Sequence, residues 1–182
     1  MALVVFLRGV NVGGHRTFRP AELAKQLEHL GAVNIGAAGT FVIRQPVGRS
    51  QLRNELERRL PFEADIAICQ GRDIARLVSG DPFAGHAVRP DIIRFVSVLC
   101  RAPRSTPSLP TEFGVGGKWL LKVLACDRPF VVGLYRRQMK AIGYLGKLDR
   151  LFGVPVTTRN WNTIEAIRQV LESAGRSSGS GA

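Results

Sequence analysis

The chain has 182 residues, 45% of them hydrophobic, and carries 26 Lys and Arg against 14 Asp and Glu, a net charge of +12. This length suffices for a real core, in one domain or in two small halves packed together. No apolar run approaches the roughly 20 residues that cross a bilayer, and the N-terminus lacks the pattern of a secretion signal. We therefore predict a soluble, cytoplasmic protein whose positive charge attracts polyanions.

The first 80 residues alternate between short apolar segments and longer amphipathic ones. Short apolar runs indicate strands, and apolar repeats of three or four residues indicate helices. In chain order these patterns predict a strand at 2–7, a helix from Pro20 to Gly31, strands at 33–35 and 40–44, a helix at 51–60 and a strand at 64–69. The order β-α-β-β-α-β is the ferredoxin-like pattern. A helix that follows Gly71 closes the first predicted domain, residues 1–80.

The second half, residues 81–174, is predicted to form a related α+β unit that packs with the first. Its patterns predict a strand at 92–100, a proline-rich connection, a hairpin of strands at 118–124 and 130–135, a basic helix at 136–152 and a final helix capped by Asn162 or Thr163. The Gly- and Ser-rich segment 175–182 is predicted to be a disordered tail. The predicted fold class is therefore α+β, with a ferredoxin-like N-terminal module and a second, related half.

The loop after the first strand carries groups suited to an anion. Its candidate ligands are Arg8, Gly9, Asn11, Gly13 and Gly14. Glycines let backbone N–H groups converge on an oxyanion, and arginine offers a planar fork for phosphate or carboxylate. The spacing matches neither a dinucleotide fingerprint nor a P-loop. The alternative is a tight surface loop whose glycines serve only to adopt positive φ angles.

A second polar block, residues 157–163, lies just before the final predicted helix. The N-terminus of a helix offers free N–H groups and the positive end of the helix dipole, which favour an anion. The candidate ligands are Arg159, Asn160, Trp161, Asn162 and Thr163, with the Arg159 guanidinium as the fork. The alternative is structural: Asn162 caps the helix, Trp161 packs in the core and the threonines end a strand.

The predicted helix at 136–152 is basic on one side. Its apolar residues recur every three positions and predict one buried face, made of Met139, Ile142, Leu145 and Leu148. The polar side is predicted to be exposed and carries Arg136, Arg137, Lys140, Lys147 and Arg150, with Tyr135 and Tyr144 near them. Basic residues interleaved with aromatic ones are typical of surfaces that bind nucleic acid, and Lys140 is the candidate ligand here.

Three stretches together carry a resemblance to a known family. Residues 7–14, then Gly39 with Phe41 and Val42, and finally residues 157–163 resemble the bacterial domain-of-unknown-function family 1697, over a span from about Leu3 to Leu171. The resemblance implies an α+β fold built on ferredoxin-like modules, and the family has no established activity. This chain departs from the usual pattern at three positions, where Ala38, Thr40 and Met139 replace a serine, an asparagine and a serine.

Motifs for covalent or metal chemistry are missing from the sequence. Cys69, Cys100 and Cys126 lie in apolar segments, where the pKa of a thiol rises, so we predict reduced core thiols. No GxSxG motif occurs, and the carboxylates and histidines are scattered. We predict no metal site and no cofactor. The sequence leaves open whether the protein is an enzyme, and any catalysis would use Asn, Arg and Lys groups to stabilise charge.

These observations favour a DNA- or RNA-binding protein, or a binder of another phosphate-bearing partner, that acts through the basic face and the Arg8 and Arg159 loops. The alternative is an enzyme or binder of a small anionic metabolite, with Arg8, Asn11 and Arg159 converging in a cleft between the two halves. A structural or protein-interaction module is a third reading, because ferredoxin-like sheets host all three functions. No membrane partner is predicted, and the oligomeric state, monomer or dimer, stays open.

Overall fold

A computed structural model describes residues 1–10 and 18–177 and contains two antiparallel sheets with helices. The α+β class predicted from the sequence is confirmed. The chain divides into two compact units. We call Met1–Gly80 together with Thr163–Ala182 the first unit, and Asp81–Asn162 the second unit.

The first unit contains a four-stranded sheet in the order β2-β3-β1-β4. Its strands are β1 Leu3–Leu7, β2 Ala32–Asn34, β3 Thr40–Ile43 and β4 Ile66–Gln70, and its first three helices are α1 Pro20–Gln26, α2 Arg49–Arg59 and α3 Gly71–Ser79. In register, Val5 of β1 lies opposite Phe41 of β3 and Ile68 of β4. The predicted order β-α-β-β-α-β is confirmed, whereas the ferredoxin-like classification stays a prediction.

Leucines spaced four residues apart hold α1 and α2 against this sheet. Leu23 and Leu27 form one pair, Leu52 and Leu56 form the other, and all four are at most 2% exposed. Residues four apart lie on the same face of a helix, so each pair covers one stripe of the sheet. They share a hydrophobic cluster with Phe41 and the inward residues of β1. The leucine spacing in the sequence therefore located this core correctly.

The second unit contains a five-stranded antiparallel sheet in the order β6-β7-β8-β5-β9. Its strands are β5 Ile92–Leu99, β6 Thr111–Val115, β7 Lys118–Asp127, β8 Phe130–Arg136 and β9 Val156–Asn160, and its helices are α4 Met139–Leu145 and α5 Leu148–Phe152. Phe95, Leu121 and Val131 from three neighbouring strands pack with Leu148 and Phe152 of α5 in one buried cluster. The helical segment after β8 thus covers one face of the sheet.

A glycine opens space for the Phe95 side chain of this cluster. Gly133 of β8 lies opposite Phe95 of β5, and a Cβ atom built on Gly133 would lie 2.4 Å from Phe95 Cζ. The same Cβ atom would lie 2.3 Å from the carbonyl oxygen of Lys122 on β7. Real Cβ atoms do not approach other atoms this closely, so the sheet requires glycine at this position.

The last helix, α6 Trp161–Ser177, belongs to the first unit from Thr163 onward. A Cβ atom on Gly71 would lie 2.8 Å from Leu171 Cδ2, and Arg44 Nη2 donates a hydrogen bond of 3.5 Å to Ser173 Oγ. The sequence pattern assigned this helix to residues 81–174, whereas its contacts are with the first unit. The predicted tail from 175 is helical up to Ser177, and its remaining residues, 178–182, lie outside the described part of the chain.

The prediction of one helix at 136–152 is wrong in two respects. Strand β8 continues to Arg136, and two short helices replace the single long one. Met139 is 84% exposed and Ile142 is 52% exposed, whereas Ala141 and Leu148 are fully buried. Gly146 ends α4, and the helix turns a face toward the sheet that the spacing of three had not indicated. The predicted exposure of Lys140, Lys147, Arg137 and Arg150 is confirmed.

Cys69 on β4 is a free thiol and is fully buried. Burial raises the pKa of Cys69 to about 12, and nearby Asp73 adds to the rise.

We expect Cys69 to resist a thiol reagent at pH 8 in the folded protein, while all three thiols react in denaturant. Because the pKa of the Cys69 thiol is lower in the unfolded chain than in the folded protein, the unfolded state loses the proton first as pH rises. The free energy of unfolding should therefore be unaffected by this group below pH 9 and should fall by up to about 1.4 kcal/mol per pH unit above pH 9. Rapid labelling of native Cys69, followed by mass spectrometry of peptides, would contradict this expectation.

Candidate functional site

The loop after β1 places Arg8 beside a carboxylate. Arg8 Nη1 lies 3.3 Å from Asp65 Oδ2, and the Arg8 backbone N–H donates to the Asp65 carbonyl oxygen at 3.0 Å. Gly9 has a φ angle of +71°, as the sequence predicted for a tight loop. Asn11, Gly13 and Gly14 lie outside the described residues. The Arg8 guanidinium therefore already contacts an anionic group of the protein, and its predicted role toward an external anion stays a prediction.

Gly39, one of the residues that carries the family resemblance, has a packing role. Its φ angle is +71°, and a Cβ atom there would lie 2.8 Å from Val10 Cγ2 and 3.0 Å from Leu7 Cβ. The Leu7 backbone N–H donates to the Gly39 carbonyl oxygen at 2.8 Å. Gly39 thus lets the loop after β1 lie close to the start of β3. Thr40 beside it is fully buried in β3.

The polar block 157–163 begins as an edge strand of the second unit. Thr158 Oγ1 lies 2.6 Å from Ser97 Oγ on β5, and Arg159 Nη1 donates to Thr157 Oγ1 and to the Thr158 carbonyl oxygen, both at 2.9 Å. Arg159 is only 8% exposed, and burial lowers the pKa of its guanidinium to about 10, so it remains charged at neutral pH. Thr157 and Thr158 therefore belong to a strand, as the structural alternative had it, but β9 continues past them to Asn160.

The rest of this block opens α6. The helix begins at Trp161, so Asn162 and Thr163 lie in its first turn, and the prediction that one of them caps it is wrong. The Trp161 ring packs edge-on against Phe83 with 5.1 Å between ring centroids. Asn160, the last residue of β9, is exposed. Arg8 lies in the first unit and Arg159 in the second, so their convergence in one cleft stays a prediction.

A basic site lies on the second unit, between α4 and the β6–β7 hairpin. A cavity of about 300 Å³ is lined by Val115, Lys140, Gly143, Tyr144 and Lys147, and we call it the Tyr144 pocket. Lys140, Gly143, Tyr144 and Lys147 follow one another at intervals of three, one and three, which places them on one side of the helical segment. Val115 faces them from the end of β6.

Contacts within the pocket hold the Tyr144 ring in place. The Tyr144 hydroxyl donates to the Gly114 carbonyl oxygen at 3.3 Å, and the Phe113 ring lies at a centroid distance of 6.1 Å. The Lys147 ammonium lies 4.3 Å from the centroid of the Tyr144 ring, a cation–π geometry. Within residues 1–10 and 18–177, neither Lys140 nor Lys147 forms an ion pair with a carboxylate. Both lysines are exposed and can therefore meet an external anion.

A second aromatic and basic cluster in the same unit is internally paired. Trp119 lies under Lys122 at 4.7 Å and under Arg136 at 4.4 Å. Lys122 forms an ion pair with Glu112, and Arg136 Nη1 lies 3.2 Å from Asp91 Oδ2. These two cations are neutralised by the protein itself. Arg136, which the sequence placed on the basic helix face, therefore already has an anionic partner within the protein.

Positive charge is concentrated in the second unit. Residues Asp81–Asn162 contain thirteen Lys and Arg against five Asp and Glu, a net charge of +8 out of +12 for the chain. Four of the five lysines of the chain fall between 118 and 147. The Tyr144 pocket therefore lies in a positive field, which draws anions toward it over distances of about a Debye length.

Of the predicted ligands that lie within residues 1–10 and 18–177, the structure brings only Lys140 into this pocket. The sequence pattern indicated Tyr144 and Lys147 as neighbours of the basic face, but it missed Val115 and Gly143. Val115 was missed because Gly114, Gly116 and Gly117 concealed the strand pattern of β6. The feature of the sequence that could have indicated this pocket was the spacing of Lys140, Tyr144 and Lys147, which places the three side chains on one side of a helix.

The fold and the site define a mixed α+β protein with two antiparallel sheets and a basic pocket on one of them. The sequence model of the family described as "Protein of unknown function (DUF1697)" matches residues 1–111, and the chain belongs to this family. The solved structure of the conserved bacterial protein SP0830 from Streptococcus pneumoniae is similar, with a TM-score of 0.59 and 18% sequence identity over 93% of this chain and 98% of that one. This likeness shows the fold.

The comparison with curated proteins found no match. Across the part of the chain that the structure describes, no helix is long and apolar enough to cross a membrane. The same residues contain no cluster of three or more His, Cys, Asp or Glu side chains placed to hold a metal ion.

Proposed function

We propose that this protein binds nucleic acid through the surface around the Tyr144 pocket. The observation that carries the proposal is a pair of exposed lysines, Lys140 and Lys147, that lack carboxylate partners among the described residues and flank an aromatic wall. Each lysine can neutralise one phosphate and release its condensed counterion, which is the main source of sequence-independent affinity. The proposal places the protein in the cytoplasm, where nucleic acids are accessible.

The second unit supplies further charge to the same partner. Arg137 is exposed between β8 and α4, and Arg150 is exposed within α5. A backbone with a regular phosphate spacing can contact several such cations at once, whereas a small anion contacts two or three. A net charge of +8 on 82 residues therefore favours a polyanion over a single small anion.

Charge reversal at both lysines, Lys140→Glu with Lys147→Glu, should weaken binding to an oligonucleotide by at least about tenfold at low salt. Two phosphate contacts are lost, so the plot of log affinity against log salt should become shallower by roughly 1.5. Fluorescence anisotropy across a salt series measures both quantities. The control is Lys25→Glu, which makes half of this charge change at an exposed position of α1 in the first unit. A loss of log affinity in the control that is half the loss in the double variant would show that total charge, and not this surface, is responsible.

A further inference from the structure

Gly143 occupies a position where nothing in the fold requires glycine. It lies inside α4 with ordinary helical backbone angles, and a Cβ atom built on it would meet no atom within 4 Å. Glycine is the least favourable residue in a helix interior apart from proline, so alanine would suit α4 better. By contrast, a Cβ atom on Gly133 or on Gly114 would lie within 2.5 Å of a backbone oxygen, so both positions require glycine. What the missing side chain of Gly143 provides is open space in the Tyr144 pocket.

The pocket has the size and chemistry of a site for one planar ring. Its volume of about 300 Å³ lies at the lower end of the range of small-molecule sites, roughly 300–1,000 Å³. Val115, Gly143 and the Tyr144 ring give it apolar and aromatic walls. Lys140 and Lys147 line it as well, so a ligand with a flat apolar body and an attached phosphate matches both features.

We infer that the Tyr144 pocket receives an unpaired nucleobase, which makes single-stranded nucleic acid the ligand class of this surface. The inference rests on the proposed function and narrows it. Bases in a duplex are stacked on both faces and cannot enter a side pocket unless they leave the stack, whereas bases of a single strand can. An aromatic side chain can stack on any of the bases, because every base has a flat face, so this contact does not depend on the nucleotide sequence. The flanking phosphates then lie near Lys140 and Lys147.

Three labelled probes separate contacts to bases from contacts to phosphates. They are an oligothymidylate of about 15 nucleotides, its duplex with oligodeoxyadenylate, and an abasic strand of the same length and charge. Anisotropy titrations at one salt concentration should show the oligothymidylate binding about tenfold more tightly than the abasic strand. The duplex should bind with an affinity set by its charge alone and show no such gain from bases.

Filling the pocket tests the role of Gly143 without a change in charge. Gly143→Leu should reduce the affinity for oligothymidylate to that for the abasic strand, while binding of the abasic strand is unchanged. Gly143→Ala adds one methyl group to open space and should keep most of the tenfold preference. Melting temperatures of both variants check folding, and neither should fall, because each replaces a helical glycine.

The outcomes distinguish this inference from the broader proposal. Equal binding of the abasic strand and the oligothymidylate by the wild-type protein would overturn the pocket inference and leave charge-driven binding standing. A Gly143→Leu variant that keeps the full preference for bases would also overturn it, because the pocket would then not be the site. Failure of all three probes to bind would overturn both.

Discussion

Replacement of Gly133 by alanine should lower the free energy of unfolding by roughly 3 kcal/mol. The new Cβ atom would lie 2.3 Å from the Lys122 carbonyl oxygen and 2.4 Å from Phe95 Cζ. One of these atoms belongs to the backbone of the neighbouring strand and the other to a ring that is fully buried. Neither can move away without a break in the β7–β8 ladder or a shift of the core of the second unit.

Denaturant unfolding of Gly133→Ala and Gly143→Ala side by side gives the measurement and its control. The two variants make the same chemical change in the same unit, but Gly143 has open space, so its alanine should be neutral or stabilise by up to about 1 kcal/mol. A second change, Phe95→Leu in the Gly133→Ala protein, should recover part of the loss because it removes the ring atoms that clash. Comparable stability of the two alanine variants would show that β8 does not pack as described.

Truncation of Arg159 to alanine should cost roughly 2–4 kcal/mol of stability. The side chain is 8% exposed, and its guanidinium donates to Thr157 Oγ1 and to the Thr158 carbonyl oxygen. Alanine would remove both donors and leave space in β9. The sequence analysis indicated this guanidinium as a ligand for an anion. Its burial instead makes a loss of stability the main expected effect of the substitution.

Thermal and denaturant unfolding of Arg159→Ala should be compared with those of Arg150→Ala. Arg150 is an exposed arginine in α5, so its loss should change stability by no more than about 0.5 kcal/mol. Binding of Arg159→Ala is best measured well below its melting temperature, where the protein is folded. An unchanged melting temperature together with weakened oligonucleotide binding would restore Arg159 as a ligand contact and contradict its structural role.

The sequence predicted strands and helices best where burial alone explains the spacing of the apolar residues. The run in β1 has all five residues buried, and the leucine pairs of α1 and α2 point to one core, so strands and helices were located from local periodicity. The segment after β8 was less predictable. Spacing of three suits a helix face, but α4 ends at Gly146, and tertiary packing buried Ala141 while it left Met139 exposed.

The candidate site was harder to predict than the fold, because a polar side chain can bind either an external ligand or another group of the protein. Arg8 and Arg159 have the groups that an anion site needs, yet Arg8 contacts Asp65 and Arg159 bonds within its own strand. The sequence contains no information about which partner a guanidinium will find across 57 residues. In contrast, Lys140 and Lys147 were predicted as exposed from their positions between apolar residues, and that prediction is confirmed.

The position of α6 in the sequence determines which unit can fold first during translation. Leu171 of this helix packs against Gly71, and Ser173 accepts a hydrogen bond from Arg44, so the first unit is completed by residues made about 100 positions after its sheet. The sheet of the first unit therefore emerges without its last helix, while the second unit is contiguous in sequence and can close first. Expression of residues 1–80 alone should give a protein that aggregates or unfolds readily, and co-expression of a fragment that carries α6 should rescue it.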